Sequence, residues 1–222
     1  MFVLSLSVKG FSMRFFVAIS LCLATINIVN ASPVSWDYVQ LEYVAGESEN
    51  SELDMDGVAI EASYSFMSNV FVSGQYETAE FDKFKQETSA SEYQQYQLNL
   101  GYYYELFEDN VFYGTLGLID VEYEKSSFSD SADGMQASIG LRSLFNKYIE
   151  VRFYYTYRDL EFDRFSNTAS NQWTYISPNV HVDKNVTGIQ GFFHLKNNLS
   201  IGASLEENDD GDRYALSVRY NF

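Results

Sequence analysis

The chain has 222 residues, 17% of them aromatic, with 2 Pro, 1 Cys and a net charge of -17. So acidic a polypeptide repels a phosphate backbone, which argues against nucleic acid as a partner. A lone thiol, Cys22, builds neither an internal disulfide nor a cysteine-rich zinc site.

The amino-terminal stretch has the layout of a secretory signal peptide: basic, then apolar, then small. Lys9 and Arg14 supply the positive charge, Phe15 to Val29 the apolar run, and Val29-Asn30-Ala31 the cleavage site. The run is shorter than the roughly 20 residues a spanning helix needs. A removable leader over residues 1–31 is therefore expected rather than an anchor, with translation starting at Met1 or Met13. Lipoprotein processing at Cys22 is disfavoured by the bulky Leu21 before it. Cleavage near Ala31 leaves residues 32–222 as one domain without cysteine. The leader holds two basic residues and no acidic one, so its removal takes the net charge from -17 to -19.

From residue 35 onward, runs of period-two alternation are separated by turns or polar loops, the mark of two-faced strands. A weakly patterned strand covers residues 35 to 46. In the second, Val58, Ile60, Ala62, Tyr64 and Phe66 share one face and Ala59, Glu61, Ser63 and Ser65 the other. Residues 70 to 80 form a third. The fourth sets Tyr96, Leu98, Leu100, Tyr102 and Tyr104 against Gln95, Gln97, Asn99 and Gly101. The fifth, residues 111 to 123, is ambiguous because both its faces are apolar, and a sixth covers 135 to 144. The seventh sets Val151, Phe153, Tyr155 and Tyr157 against Glu150, Arg152, Thr156 and Arg158. Residues 186 to 196 give a weak eighth. The ninth sets Leu199, Ile201, Ala203 and Leu205 against Ser200, Gly202, Ser204 and Glu206; the last sets Tyr214, Leu216, Val218, Tyr220 and Phe222 against Ala215, Ser217, Arg219 and Asn221.

Ten strands result, with eight as the alternative because the eighth is weakly patterned. Short turns fall at 67–69, 106–110, 145–148 and 196–198. Longer polar loops fall at 46–55, 81–92, 124–134, 159–185 and 206–212. One end trimmed close and the other carrying loops is the asymmetry of an outer-membrane barrel, and an even strand count puts both termini at the trimmed end.

Alternation also fits a soluble barrel. Volume separates the two. A soluble barrel would have to hold on the order of 40 bulky groups, whereas a barrel of about eight strands has an interior just wide enough for modest side chains. The small polar row fits inside, so the bulky row faces outward, and only lipid tolerates that surface. Tyr and Phe crowd the strand ends, as interfacial aromatic girdles require. The expected fold is an all-β, transmembrane, antiparallel up-and-down barrel.

The ending RYALSVRYNF, with Phe222, Tyr220, Val218, Leu216 and Tyr214 at every second position, resembles the terminal strand of bacterial outer-membrane barrels. The body, SWDYVQLEYVAGE and DGVAIEASYSFMSNVFVSGQYE, is similar to small barrels of the porin-family, OmpA-like and quorum-factor-like kind. The resemblance implies a bacterial outer-membrane location, contact with outer-membrane lipid and lipopolysaccharide, and recognition of Phe222 and Tyr220 by the barrel-assembly machinery. A monomer is expected.

No HExxH, P-loop, GxSxG or paired CxxC motif is present. His181 falls in the fourth long loop. His194 falls on the inward face of the eighth strand with Gln190 and Lys196, and is read as a polar-network residue rather than a catalyst, since spacing assembles no base beside a nucleophile. Residues 206–212 resemble a calcium loop but lack its ligand spacing and terminal glutamate; a hairpin turned at Gly211 explains them. No catalytic, metal or cofactor-binding residue is therefore assigned. The inward charges are acidic at Glu42, Glu61, Glu77 and Glu150, and basic at Arg142, Arg152, Arg158 and Arg219. In a narrow space they are expected to pair and fill the lumen. A structural or surface-interaction barrel with acidic external loops is the leading functional reading. A small solute porin is second, and a lipid-modifying enzyme acting through His181 or His194 third.

Overall fold

The computed structural model describes residues 34–48, 54–81, 91–107, 109–125, 128–168, 172–209 and 211–222. The expected leader, residues 1–31, lies outside them.

Ten strands follow one another: β1 (Tyr38–Ser48), β2 (Asp54–Met67), β3 (Val70–Phe81), β4 (Ser91–Phe107), β5 (Asn110–Lys125), β6 (Phe128–Asn146), β7 (Ile149–Thr168), β8 (Gln172–His194), β9 (Leu199–Asn208) and β10 (Gly211–Asn221). Each pairs antiparallel with its sequence neighbours, and β1 closes on β10 from Tyr38 opposite Asn221 to Ser48 opposite Gly211. The count is ten, not eight, and closure leaves no edge along the paired belt. β1 starts and β10 ends at the short-turn end, where the Phe222 amide donates to the Asp37 carbonyl at 3.0 Å.

The short turns share a construction. Three of them carry a register shift just before the turn, between Ser65 and Met67, Glu105 and Phe107, and Leu144 and Asn146. At the last of these, the Asn146 side-chain oxygen accepts from the amides of Tyr148 and Ile149, at 2.8 and 3.1 Å. The fourth turn places Asn197 and Asn198 at φ 58° and 62°. Both central residues are thus left-handed, as a tight hairpin demands and asparagine tolerates.

The opposite end differs from the sequence expectation. The described residues of the loops expected over 124–134 and 159–185 instead continue the ladder, with Lys125 opposite Phe128 and Thr168 opposite Gln172. Once strands are paired below, the ladder extends without any apolar row. Beyond the lipid no face selects alternation, so the sequence pattern fades while the strand does not. The 206–212 loop likewise contracts, with Asn208 already opposite Gly211. The rim is oblique: low across β9, β10 and β1, high across β6, β7 and β8.

The outward row is the bulky one. Leu100 and Leu116 stand side by side in the register and are 56% and 66% exposed. Such a surface needs a nonaqueous neighbour. The inward row is buried although much of it is polar, including Gln40, Glu77, Arg142, Glu150 and Arg219.

Candidate functional site: the lumen and the outer collar

The short-turn end is closed by a residue just ahead of β1. Trp36, in phase with Tyr38 and Gln40, turns into the barrel and is 3% exposed. Its ring stacks on Phe71 with centroids 3.9 Å apart, meets Tyr113 edge-on at 5.1 Å, and lies 4.4 Å beneath the Arg142 guanidinium. Aromatic stacking and cation–π contact both favour this placement. Two polar ties hold the segment: the Ser35 carbonyl accepts from Arg142 Nη1 at 3.0 Å, and Asp37 accepts from the Ser65 amide.

Above Trp36 lies an ion cluster. Arg142 Nε and Nη2 both donate to Glu150 Oε1, at 3.0 and 2.8 Å, and Arg219 Nη1 reaches the same oxygen at 3.3 Å. Arg219 also donates from Nε to Gln40 at 2.8 Å, and its guanidinium lies 4.2 Å from the Tyr38 ring and 3.7 Å from Phe192. These arginines and Glu150 have essentially no exposed surface, so each depends on the other for its charge compensation.

A second cluster lies nearer the end opposite the short turns. Arg213 contacts three carboxylates: Glu42 at 3.0 Å, Glu77 at 2.7 Å and Glu206 at 3.2 Å. Tyr154 donates its hydroxyl to Glu206. Between the clusters, Arg152 donates to Tyr113 Oη at 2.6 Å, and Tyr38 Oη to Glu61 at 2.8 Å. Higher still, the apolar inner row of β5, Ile119 and Val121, packs against Ala132 and Leu160. That packing resolves the ambiguity of the fifth strand, whose inner row is apolar because it caps the charges.

The inward charges read from the sequence thus face the lumen, and pairing is observed for Glu42, Glu77, Glu150, Arg142 and Arg219. Three participants were not singled out. Trp36 shares the parity of the inward row and falls within the weakly patterned stretch 35 to 46, but it lies ahead of β1, which begins at Tyr38. Glu206 sits on the small polar face of the ninth strand but is not counted among the inward charges, and Arg213 falls between the loop expected at 206–212 and the last patterned row, which begins at Tyr214. Lys196 falls beyond β8, in the turn. His181 lies on β8 opposite Glu161, not in a loop.

One contact was invisible to spacing. The β8–β9 hairpin sets His194 opposite Ser200, and His194 Nδ1 lies 2.7 Å from Ser200 Oγ while its Nε2 lies 3.4 Å from Glu150 Oε2. A base therefore does stand beside a hydroxyl. Ser200 is nevertheless fully buried.

Outside, toward the end opposite the short turns, the apolar rows give way to carboxylates. In the register Asp56 stands opposite Glu80, Glu80 opposite Glu92, Glu92 opposite Glu124, Asp120 opposite Asp133, and Asp212 opposite both Glu47 and Glu207. Like charges directly opposite destabilise a sheet, so this collar lies where water and counterions reach it. Tyrosines hold its lower margin, with Tyr155 donating to Asn185 and Tyr157 to Asp183 at 2.8 Å.

With the geometry in hand, comparison with known proteins is informative about the fold. The family described as outer membrane protein beta-barrel domain matches residues 17–222. Among solved structures, the translocator domain of the autotransporter NalP from Neisseria meningitidis is 10% identical, covering 94% of each chain with a TM-score of 0.50. OprG from Pseudomonas aeruginosa is 12% identical over 86% of this chain and 98% of its own, with a TM-score of 0.46. Ail of Yersinia pestis is 16% identical over 83% and 95%, with a TM-score of 0.35. No functionally curated protein matches the chain in sequence. The closed ten-stranded barrel, its bulky row turned outward, and the match over nearly its whole length place this chain in the outer membrane protein beta-barrel family of bacteria.

Proposed function

We propose that this protein is a non-catalytic barrel whose lumen is closed to solutes and whose acidic outer rim contacts partners at the cell surface. The observation that carries the reading is the lumen filling: Trp36 across one end, then two ion clusters whose arginines and carboxylates touch across the interior. Among the described residues these paired and stacked side chains occupy the middle of the lumen, where a solute would have to pass. The same reading takes residues 1–31 as a leader cleaved near Ala31, Phe222 and Tyr220 as the assembly signal, lipopolysaccharide as a neighbour, and a monomer as the working form. His194 then serves Glu150 and Ser200 as a structural link rather than as a general base.

A small porin is the second reading, favoured by the buried hydroxyls of Ser63, Ser204 and Ser217, which lack a protein partner and are suited to lumen water. Recording in planar bilayers separates the two. The purified, folded barrel is expected to give no steady conductance; a stable ionic current in successive insertions would overturn closure and favour the porin.

A further inference from the structure

Beyond the lipid the wall of strands is open on one side. β8 pairs with β7 up to Gln172 opposite Thr168, but with β9 only from Val186 to His194, because β9 stops at Asn208. Among the described residues no strand covers residues 172–185 on the β9 side. Backbone direction follows from two bonds. The His194 amide donates to the Tyr148 carbonyl, toward β7, and the Leu195 amide to the Leu199 carbonyl, toward β9. Antiparallel strands alternate the direction of their polar groups, so the odd-numbered residues from His181 to Asn185, below the register shift, point away from β7.

Asn185 obeys the alternation. Its amide donates to Asp209 Oδ2 at 3.0 Å, a carboxylate standing where the next strand's carbonyl would be. Above it, the backbone groups of Asp183 and His181 are aimed the same way. Pro178, which has no amide hydrogen, and the register shift after Phe162 end the regular edge there, as proline and bulges do elsewhere. The usable template is therefore residues 180–185.

A second copy in the same membrane does not fit this edge. Barrels sharing a membrane normal carry strands tilted by about 35–45°, so a two-fold axis along the normal crosses the two edges at twice that tilt. An untethered extended segment meets no such restriction. Its charge is set by what it must cross: Asp209, Glu207 and Asp212 flank the lower end of the edge on a chain of net charge -17. We infer that residues 180–185 of β8 form a strand-addition site at the cell surface that takes an extended cationic polypeptide segment. The inference gives the surface role a partner class, and rests on that role but not on whether the lumen conducts.

The test uses the full folded chain in detergent and a short peptide of alternating lysine and threonine, labelled at its carbonyls. Binding is expected, with the labelled amide band moving to the β-sheet position. The same peptide N-methylated at alternate amides is expected to bind about tenfold more weakly or worse, because the ladder is blocked while the charge is kept. Asp183→Pro removes an outward donor without touching the β7 pairing and is expected to weaken the unmodified peptide similarly; Asp183→Asn, which keeps the donor, should not. Equal binding of both peptides, or indifference to Asp183→Pro, would overturn strand addition in favour of simple charge adsorption. A cationic peptide that does not bind at all would overturn it too, with the closed-lumen reading untouched.

Discussion

Glu150→Gln is expected to lower the folding stability of the barrel by roughly 3–5 kcal/mol, the cost of leaving buried charge without its partner. The reason is stoichiometry. At the short-turn end two arginines, Arg142 and Arg219, share the one carboxylate of Glu150. Neutralising it strands two guanidiniums in sites with essentially no exposed surface. At the other cluster the imbalance has the opposite sign, since Arg213 contacts three carboxylates. Glu77→Gln therefore relieves acidic excess as it removes a bond, and its cost is expected to be far smaller. The urea concentration at which the unboiled protein loses its folded gel mobility measures both. Triple replacement Arg142→Met, Glu150→Met and Arg219→Met should recover most of the loss, because a buried ion group exchanged for apolar side chains is often neutral. Matching midpoints for Glu150→Gln, Glu77→Gln and the parent would mean that the lumen is hydrated enough to screen these charges.

The faces of the strands were legible wherever lipid selects them. Rows such as Val58 to Phe66, Tyr96 to Tyr104 and Tyr214 to Phe222 lie outward as their alternation requires, since each is exposed along its length. Legibility failed at both ends of the lipid belt, for different reasons. Above it, β7 and β8 stay paired beyond the lipid belt, up to Thr168 opposite Gln172, where no lipid selects one face and period two has nothing to report. Below it, Trp36 falls in the weakly patterned first stretch, and its burial depends on Phe71, Tyr103 and Tyr113 arriving from three other strands. The inward charges were readable one by one, because parity suffices for that. Their pairing was not: Arg213 reaches Glu77 across the lumen from a distant strand, a contact set by barrel closure and stagger rather than by spacing. The His194–Ser200 contact needed the exact hairpin register, which a turn one residue longer would have abolished.

Leu100→Arg is the sharper test of the orientation on which the surface and lumen readings both depend. Leu100 sits on the outward row of β4, between Val72 of β3 and Leu116 of β5. An arginine there faces hydrocarbon near mid-depth and is expected to cost about 2–4 kcal/mol of folding into lipid vesicles. On the same face of the same strand, Glu92 lies in the collar, opposite Glu80 and Glu124. Glu92→Arg replaces a like-charge contact by an opposite one and is expected to be neutral or stabilising. The two substitutions share strand, face and introduced side chain, so propensity and barrel closure cancel between them and only the surrounding medium differs. Equilibrium unfolding by urea in vesicles, followed by tryptophan emission, gives both values. Were the bulky row in contact with water, Leu100→Arg would cost no more than Glu92→Arg. Equal midpoints would therefore turn the barrel inside out, leaving Leu100 and Leu116 exposed with no solvent to accept them.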